Sequence, residues 1–464
     1  MDMQKFSAAL RPLTAGLLVV VLAGCATFSP DGGLDSVATL TSERTGVAVQ
    51  FSPPTHDTGM VDERIGQLLQ QPLSPETAVQ IALLNNPGLR VSLAELGIAE
   101  ADLVQAGRLR NPGLSFSRMH GGGELEIERG ILVDLAGLLT MPLRTDIESR
   151  RFEQAKLQAA ADAVRLAAAA RAAYFNAVAA CQTVGYMEQV QTAAKAGAEL
   201  AKRMARVGNW SQLDAAREQV FHADAAAQLA RARHAATAAR EQLTRLLGLW
   251  GADTAFKLPG RLPELPQAPR EMIDIEAQAI SQRLDLQMAR RDAEATASAL
   301  GLTRTTRFIN VFDAGYVNKS VTDRPRENGY ALTLELPLFD WGEARTARAE
   351  ATYMQSVHRV AETAIRARSE VREAYSGYRT AYDLARHLRD EVVPLRKRIS
   401  DQVLLRYNGM LASVFELLAD ARDQVHSVNT AIEAQRDFWI ADTGLRAAVN
   451  GSGQVPRTTV AARH

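Results

Sequence analysis

The segment that decides the fold runs from Pro337 to Gly409 and reads PLFDWGEARTARAEATYMQSVHRVAETAIRARSEVREAYSGYRTAYDLARHLRDEVVPLRKRISDQVLLRYNG. A short alternating strand leads here into a helical pattern of about 65 residues, which would extend for about 100 Å at 1.5 Å per residue. An ordinary globular helix is far shorter. A similar segment lies about 200 residues earlier, where alternation ends at Met141 and Pro142 and a helical run reaches Val207, so the sequence predicts two duplicated halves.

The composition favours long helices over a large aromatic core. Only 6% of the residues are aromatic, and the chain is rich in Ala, Arg, Glu and Gln. Lys plus Arg and Asp plus Glu number 53 each, so there is no net positive charge to attract a nucleic acid, and we expect no such partner. The two cysteines, Cys25 and Cys181, cannot form a disulfide framework. We interpret Cys181, which lies in an Ala-rich helical segment, as a buried small apolar residue.

Residues 1–24 have the pattern of a secretory signal peptide, with basic residues followed by an apolar run, Leu13–Ala23, that is short for a membrane span. The run leads into Leu-Ala-Gly-Cys25, which resembles the lipobox of bacterial lipoproteins. This resemblance implies a covalent lipid on Cys25 and, because residue 26 is not Asp, sorting to the outer membrane. The alternative is an ordinary signal peptide followed by a chance cysteine. Residues 25–72 lack sustained periodicity, and we expect a lipid-anchored N-terminal arm without regular structure.

We predict that the first repeat covers residues 73–250. Ser74 and Pro75 are residue types that begin a helix, and alternation further along indicates two strands joined by a glycine-rich turn. The predicted elements, in order, are a helix interrupted at Asn86-Pro87, strands at about 113–119 and 124–136, a long helix after Pro142, a turn at Gly208 and a returning helix from Gln212 to about Leu249.

A Pro-rich connector, residues 251–270, separates this repeat from a second one at 271–450, and residues 451–464 are predicted to be a flexible tail. The segment Ala279–Leu286 corresponds to Ala82–Leu89 of the first repeat. The predicted elements of the second repeat are strands at about 307–318 and 329–338, the long helix, a turn at Asn408-Gly409 and a final helix from about Ser413 to Val449. We expect Asp313 to interrupt the apolar face of the first of these strands.

The predicted strands have one apolar and one polar face. Two interpretations remain open: a hairpin half-buried on a soluble core, or a lipid-facing strand whose other face lines water. The apolar faces carry Leu125, Ile127, Ile131, Val133 and Leu135 in one strand and Tyr330, Leu332, Leu334, Leu336 and Leu338 in another, and the polar face of the former carries Glu124, Glu126, Glu128 and Asp134.

Four strands of this kind cannot close into a barrel. Unpaired strand edges are not tolerated in hydrocarbon, because each unsatisfied backbone group costs several kcal/mol, so membrane strands of this chain must join those of other copies. Two copies would give eight strands with a filled interior, whereas three would give twelve with room for water. We therefore predict a cyclic homotrimer.

The lipobox, the repeated strand-to-helix junctions and the two turns together resemble the outer-membrane efflux proteins of the TolC type, over roughly residues 73 to 450. The family resemblance implies a mainly α protein with a membrane β-barrel, in which a trimeric 12-stranded β-barrel is continued by an α-helical tunnel. The residues that carry it are Met141-Pro142-Leu143, Leu336-Pro337-Leu338-Phe339-Asp340, Gly208 and Gly409.

The resemblance also implies the function. It predicts a passive exit duct in the cell outer membrane, lipid-anchored and barrel-inserted with a periplasmic tunnel, for drugs or metal cations. The expected partners are outer-membrane lipid, a periplasmic adaptor and an inner-membrane pump of the RND type. Asn85–Leu89 and Gln105–Pro112 resemble the heavy-metal cation efflux branch. The alternatives are a lipid-anchored periplasmic helical scaffold without a channel, and the outer-membrane component of type I protein secretion.

The expected functional sites are a gate and a docking surface. In this family the gate lies near the helix-reversing turns, and the candidates here are Glu416, Asp420 and Asp214, for which a solvated helix face is the alternative. The candidate adaptor-docking tips are Gly208, Asn209, Gly409 and Met410. The sequence has no catalytic motif, and its histidines are scattered without a Cys or Met cluster, so we expect no enzymatic activity, no metal site and no cofactor besides the lipid.

Overall fold

The computed structural model describes residues 27–51, 59–308, 311–335 and 338–451. The predicted signal peptide, Cys25, Pro337 and residues 452–464 of the predicted tail lie outside the described residues. The chain forms two compact units. The first contains Leu93–Gln158 and Leu286–Thr363 together with the described residues through Leu34, and the second contains Asp35–Ser92, Ala159–Asp285 and the residues from Ala364 onward. Each unit thus combines segments from both predicted repeats, whose boundaries stay a prediction.

The two halves of the chain have the same order of elements. In the first half, α1 Leu34–Thr45 and α2 Gly59–Leu69 precede α3 Pro75–Asn85, α4 Pro87–Ala106, β1 Gly113–Gly121, β2 Glu124–Asp134, α5 Leu135–Arg206 and α6 Gln212–Leu247. A 3-10 turn, Gly251–Ala255, lies in the connector. The second half contains α7 Ile275–Gln282, α8 Leu284–Thr306, β3 Phe312–Val321, β4 Glu327–Leu334, α9 Glu343–His387, a π-helical turn Leu388–Val392, α10 Val393–Asn408 and α11 Val414–Asn450.

The first long helix begins earlier than predicted. It starts at Leu135, directly after β2, and Pro142 lies inside it. The backbone N–H of Gly137 donates to Asp134 Oδ1 at 2.5 Å, so Asp134 caps the helix. A Cβ at Gly137 would collide with this carboxyl group, so the glycine permits the cap. The predicted boundary between β2 and the long helix is wrong. The alternating pattern places Asp134 on the polar face of the strand, whereas its side chain caps the helix that begins at the next residue.

The second long helical run extends from Glu343 to Asn408 with a single irregularity at Leu388–Val392. Pro394 follows this π-helical turn. A proline has no backbone N–H, and its ring clashes with the carbonyl group four residues earlier, here that of Asp390. The wider π turn accommodates the proline without ending the helix.

The N-terminal arm is more ordered than expected. Residues 34–45 and 59–69 form α1 and α2, contrary to the prediction of an arm without regular structure. Val37 of α1 is fully buried, and Ile65 of α2 belongs to the main core cluster of the second unit. Tertiary packing of a few apolar residues therefore stabilises these two short helices.

The main core cluster of the second unit combines small side chains on α5 with larger apolar residues of other helices. Ala170, Ala173 and Ala177 are buried there, which allows neighbouring helices to approach closely. The hydroxyl group of Tyr174 donates to the carbonyl oxygen of Leu73 at 3.0 Å and fixes the start of the first repeat against this core. Among the helices that the structure describes, none is both long enough and apolar enough to cross a membrane.

The first unit contains a four-stranded antiparallel sheet in the order β1-β2-β3-β4. The strands of the two halves meet in the middle, where β2 pairs with β3 and Ile131 lies opposite Tyr316. β3 and β4 overlap their predicted ranges, 307–318 and 329–338, but β3 begins five residues later and β4 two residues earlier than predicted. The register also corrects the interpretation of Asp313. This residue lies opposite Asp134 and Thr333, on the polar face, and the apolar face of β3 passes through Phe312, Ala314 and Tyr316.

Candidate lipid-facing sheet and helix-turn tips

One face of the sheet is apolar and exposed. A row across all four strands joins Leu114, Ile131, Tyr316 and Tyr330, and the rings of the two tyrosines contact each other at 6.3 Å between centroids. The next row joins Val133, Ala314 and Leu332. Tyr330 is 91% exposed and Leu332 68% exposed in the single chain. An exposed apolar face of this extent is unusual for a soluble protein and marks a surface that contacts lipid or another protein.

Polar residues bound this apolar face on the side of the strand turns. In the row beyond the tyrosines, polar residues occupy three of the four strands, with Arg129, Asn318 and Asn328 beside Phe116 of β1, and Asn318 Nδ2 donates to Asn328 Oδ1 at 2.7 Å. On the other side, toward the helices, the aromatic residues Phe308, Phe339 and Trp341 are exposed. Phe308 and Trp341 form an edge-to-face pair at 6.5 Å, and the Arg307 guanidinium lies 4.1 Å from the Phe308 ring centroid. Aromatic and arginine side chains of this kind suit the boundary between hydrocarbon and water.

The opposite face of the sheet carries most of the acidic residues. Lys319 Nζ contacts Glu126 at 2.6 Å, and Arg324 contacts Glu124 at 3.2 Å. Lys319 on β3 lies between Glu128 on β2 and Glu327 on β4, which are its neighbours on the two adjacent strands. This face therefore has an excess of negative charge, in agreement with a surface that contacts water.

Both edges of the sheet are unpaired in this chain. Within the described strands, β1 pairs with β2 alone and β4 pairs with β3 alone. The backbone groups on the outer sides of β1 and β4 therefore need a further partner if the sheet enters a membrane.

The first helix-turn tip joins α5 to α6. Gly208 has a φ of +80°, which favours glycine at this position. Ser211 caps α6, because its Oγ accepts from the backbone N–H of Asp214 at 3.0 Å and its hydroxyl donates to the Asp214 carboxyl group at 2.6 Å. Asp214 also lies 3.6 Å from Arg217 Nη1. The candidate gate residue Asp214 is thus held by a cap and an ion pair at the start of α6.

The second tip joins α10 to α11 and has a similar cap. Ser413 and Glu416 form a capping box, in which the Glu416 N–H donates to Ser413 Oγ at 3.3 Å and the Ser413 N–H donates to Glu416 Oε2 at 3.1 Å. The left-handed residue of this turn is Met410, with a φ of +60°, and its side chain is 94% exposed. Gly409, which is predicted to make the turn, has a φ of −81°.

Asp420 differs from the other two gate candidates because it is buried. The residue is 8% exposed, and within the part of the chain that the structure describes its Oδ2 has no hydrogen-bond partner. A buried carboxyl oxygen without a donor is costly. The alternative of a solvated helix face therefore does not describe Asp420 in the single chain, although it fits the exposed Glu416.

Several residues near the tips are not apparent from the sequence. The Arg217 guanidinium lies 3.5 Å from the Phe415 ring centroid, which connects α6 to α11. Burial raises the pKa of Glu218 on α6, and Arg422 on α11 partly opposes this shift. Burial, with a smaller contribution from Glu218, also raises the pKa of Tyr407. The spacing Asp214-x-x-Arg217 indicates a pair within α6, but no local pattern indicates a contact between the two hairpins.

The structure does not bring metal-binding side chains together. Among the described residues, no group of three or more His, Cys, Asp or Glu side chains could hold a metal ion.

Cys181 is half-buried, and burial raises the pKa of its thiol, which disfavours a reactive thiolate.

The chain is similar to known channel and resistance proteins. No protein-family model matches it. The cobalt-zinc-cadmium resistance protein CzcC of Cupriavidus metallidurans is 26% identical over 235 residues, which are 48% of this chain and 55% of that protein, so the chain spans about half the length of this relative.

Solved structures are similar over most of the chain. A membrane protein from Pseudomonas aeruginosa has a TM-score of 0.71 and 21% identity, with 83% of this chain and 92% of that one covered. The CmeC outer membrane channel of Campylobacter jejuni has a TM-score of 0.71 and 16% identity, with 93% of both chains covered. These likenesses confirm the resemblance to outer-membrane efflux proteins of the TolC type, and the chain has the fold of those channels.

Proposed function

We propose that this chain is a passive exit duct in the outer membrane, the channel component of a tripartite efflux pump. The single observation that carries this proposal is the sheet of the first unit, which combines an exposed apolar face, an acidic opposite face and two unpaired edges. The fold that the chain shares with outer-membrane channels supports it. The duct itself needs neither catalysis nor a cofactor, because an inner-membrane pump would supply the energy.

The unpaired edges support a homotrimer. If β4 of one copy pairs with β1 of the next, every backbone group in the membrane finds a partner, and three copies give twelve strands around a water-filled interior. Leu114, Tyr330 and Leu332 would then face lipid, and Glu126 and Glu128 would face the lumen. The long helices would continue the barrel as a tunnel across the periplasm.

The location follows from the same arrangement. We place the chain in the cell outer membrane, inserted through its sheet and anchored by a covalent lipid on Cys25. The aromatic residues Phe308, Phe339 and Trp341 would lie at the periplasmic boundary of the lipid.

The partners would bind at the helix-turn tips. Gly208, Asn209, Gly409 and Met410 are the proposed docking points for a periplasmic adaptor, and the exposed Met410 and Leu411 offer an apolar contact there.

The inner-membrane pump would be of the RND type. A metal cation is the favoured cargo because the partial sequence relative is a cobalt-zinc-cadmium resistance protein, with drugs as the second candidate.

The gate would lie at the same tips. We propose Asp420 as its main residue, because a buried carboxyl oxygen without a donor in one copy could meet a donor or a cation in the trimer. Asp214 and Glu416 would contribute negative charge in addition to their hydrogen bonds in the helix caps.

Single-channel recordings of Asp420→Ala and Glu416→Gln test this proposal, since glutamine keeps the capping box and removes the charge. Unchanged conductance and cation preference in both variants would contradict it.

The proposed function is tested by assembly and conductance. We expect the purified protein to run as a detergent-resistant trimer and to conduct ions in planar bilayers. Leu332→Arg should prevent insertion, because a cation on the lipid face near the midplane costs about 2–4 kcal/mol. The neighbouring Thr333→Arg points to the opposite face and is the matched control, which should still assemble.

Two outcomes would favour the alternatives. A soluble, non-conducting monomer that tolerates both substitutions would favour the periplasmic scaffold. A conducting trimer that fails to confer metal or drug resistance but restores export of a secreted protein would favour type I secretion.

A further inference from the structure

A buried carboxyl group of the first unit binds the start of the described chain. Glu100, on α4, is 7% exposed. Its Oε1 accepts two hydrogen bonds from Ser29, one from the backbone N–H at 2.6 Å and one from the hydroxyl group at 2.5 Å. A carboxyl group that is removed from water requires such donors, so Glu100 is matched to this segment rather than to solvent.

A second contact four residues later holds the same segment. Gly33 has a φ of +80°, and a Cβ there would lie 2.9 Å from Lys156 Cε and 3.1 Å from Phe152 Cζ on α5. Only glycine allows the backbone to pass this closely in this conformation. Together, Ser29 on Glu100 and Gly33 on Phe152 and Lys156 form a seat for residues 29–33, which we call the arm seat.

The arm seat is close in sequence to the proposed lipid attachment. Ser29 follows Cys25 by four positions, and four residues span at most about 14 Å. Glu100 lies six positions before Ala106, the last residue of α4, or about 9 Å along the helix axis. β1 begins shortly afterwards at Gly113. The arm seat therefore restricts a lipid on Cys25 to the neighbourhood of the helix end that leads into the sheet.

We propose that the arm seat is a docking site for the segment that follows acylated Cys25, and that it shortens the tether by which the lipid holds the unassembled sheet at the membrane. This inference rests on the proposed lipid anchor and barrel insertion. With the segment seated, the tether is the four residues from Cys25 to Ser29. With the seat lost, the next buried residue is Leu34, so the tether grows to nine residues.

The expected effect follows from the tether length. The effective concentration of a tethered group falls roughly as the −3/2 power of the length of a flexible tether, so a tether about twice as long lowers it about threefold. Insertion and trimer assembly of the acylated chain should slow by about this factor. A seat that merely holds α4 against α5 would affect assembly equally with or without the lipid.

The test compares variants in two forms of the full chain. One form keeps Cys25, and the other carries Cys25→Ala behind the signal peptide of a non-lipidated exported protein. Glu100→Ala and Gly33→Val each remove one half of the seat and are therefore combined in one chain, and Glu95→Ala, an exposed residue of the same helix, is the matched control. The measurement is the rate at which the detergent-resistant trimer appears in outer membranes after a pulse of synthesis.

We expect the double variant Glu100→Ala, Gly33→Val to slow trimer formation about threefold in the acylated chain and to leave the rate of the Cys25→Ala form unchanged, with Glu95→Ala neutral in both. Equal slowing in the two forms, no slowing in the acylated form, or a variant that forms no trimer in either form would overturn the proposal. If the unsubstituted chain forms no trimer, the proposed channel function fails instead. Glu100→Gln, which keeps the size and an acceptor oxygen, should fall between the unsubstituted chain and the double variant.

Discussion

The two halves of the second unit join their short and long helices at equivalent positions but with different chemistry. In the first half, Asn86 Nδ2 donates to the carbonyl oxygen of Leu246 at 2.9 Å, near the end of α6. In the second half, the corresponding Arg283 donates through Nη1 to the carbonyl oxygen of Ala448 at 2.9 Å, near the end of α11. Both side chains thus satisfy a carbonyl group that the end of a returning helix leaves without an intrahelical partner.

The difference between the junctions is the charge that the second one buries. Arg283 is 1% exposed and contacts Asp285 at 3.0 and 2.6 Å and Glu370 at 2.7 Å. Burial alone lowers the pKa of Arg283, but the hydrogen bonds to Asp285 and Glu370 outweigh it, so the pKa is raised overall and the guanidinium stays charged. The first junction achieves the same connection with neutral amides, since Asn85 Nδ2 also donates to the carbonyl oxygens of Leu247 and Gly248. The same geometry therefore depends on electrostatics in one half and on neutral hydrogen bonds in the other.

The largest effect should come from removing the buried arginine. Arg283→Ala leaves two carboxyl groups without their cation, and we expect the free energy of unfolding to fall by about 3–5 kcal/mol. Denaturant unfolding of the detergent-solubilised protein, followed by helical circular dichroism, measures this change. Arg290→Ala, an exposed residue of the neighbouring helix, should change stability by less than about 0.5 kcal/mol. Equal effects of the two substitutions would show that the buried network does not stabilise the junction.

A smaller effect should separate the two glycines that end the returning helices. Gly248 and Gly451 both have a positive φ, of 68° and 71°. A Cβ at Gly248 would lie 2.7 Å from the backbone oxygen of Asn85, whereas at Gly451 it would meet Asp285 Oδ1, a side-chain atom that accepts from Arg283 Nε and would have to shift within that network. We expect Gly248→Ala to cost about 3 kcal/mol and Gly451→Ala about 2 kcal/mol. The same unfolding measurement checks the order, and a larger loss for Gly451→Ala would contradict it.

The correspondence between these junctions is visible in the sequence, but its chemistry is not. Aligning Ala82–Leu89 with Ala279–Leu286 places Asn86 opposite Arg283, and the structure has both at the ends of short helices with their N–H groups bonded to Ala82 and Ala279. The Glu370 partner lies 87 positions from Arg283, a separation that no local pattern encodes.

The same limit applies to the site. Alternation indicates the apolar face of the strands, because a period of two is a local property. It misses Asp134, since a carboxyl group suits both a polar strand face and a helix cap. The burial of Asp420, the contact between Arg217 and Phe415, and the seat of Ser29 on Glu100 all depend on distant segments, so the sequence identifies the residue types without their partners.

The smallest effect should come from the neutral junction. Asn86→Ala removes one hydrogen bond to the carbonyl oxygen of Leu246 and the acceptor that caps the Leu89 N–H at 3.1 Å, and we expect a loss of about 1–2 kcal/mol. The loss should be smaller than that of Arg283→Ala, because no charge is left buried without a partner. Raising the salt concentration should leave both losses nearly unchanged, since the Arg283 guanidinium is buried and its ion pairs are weakly screened. A loss for Asn86→Ala equal to that for Arg283→Ala would mean that geometry rather than charge decides the strength of both junctions.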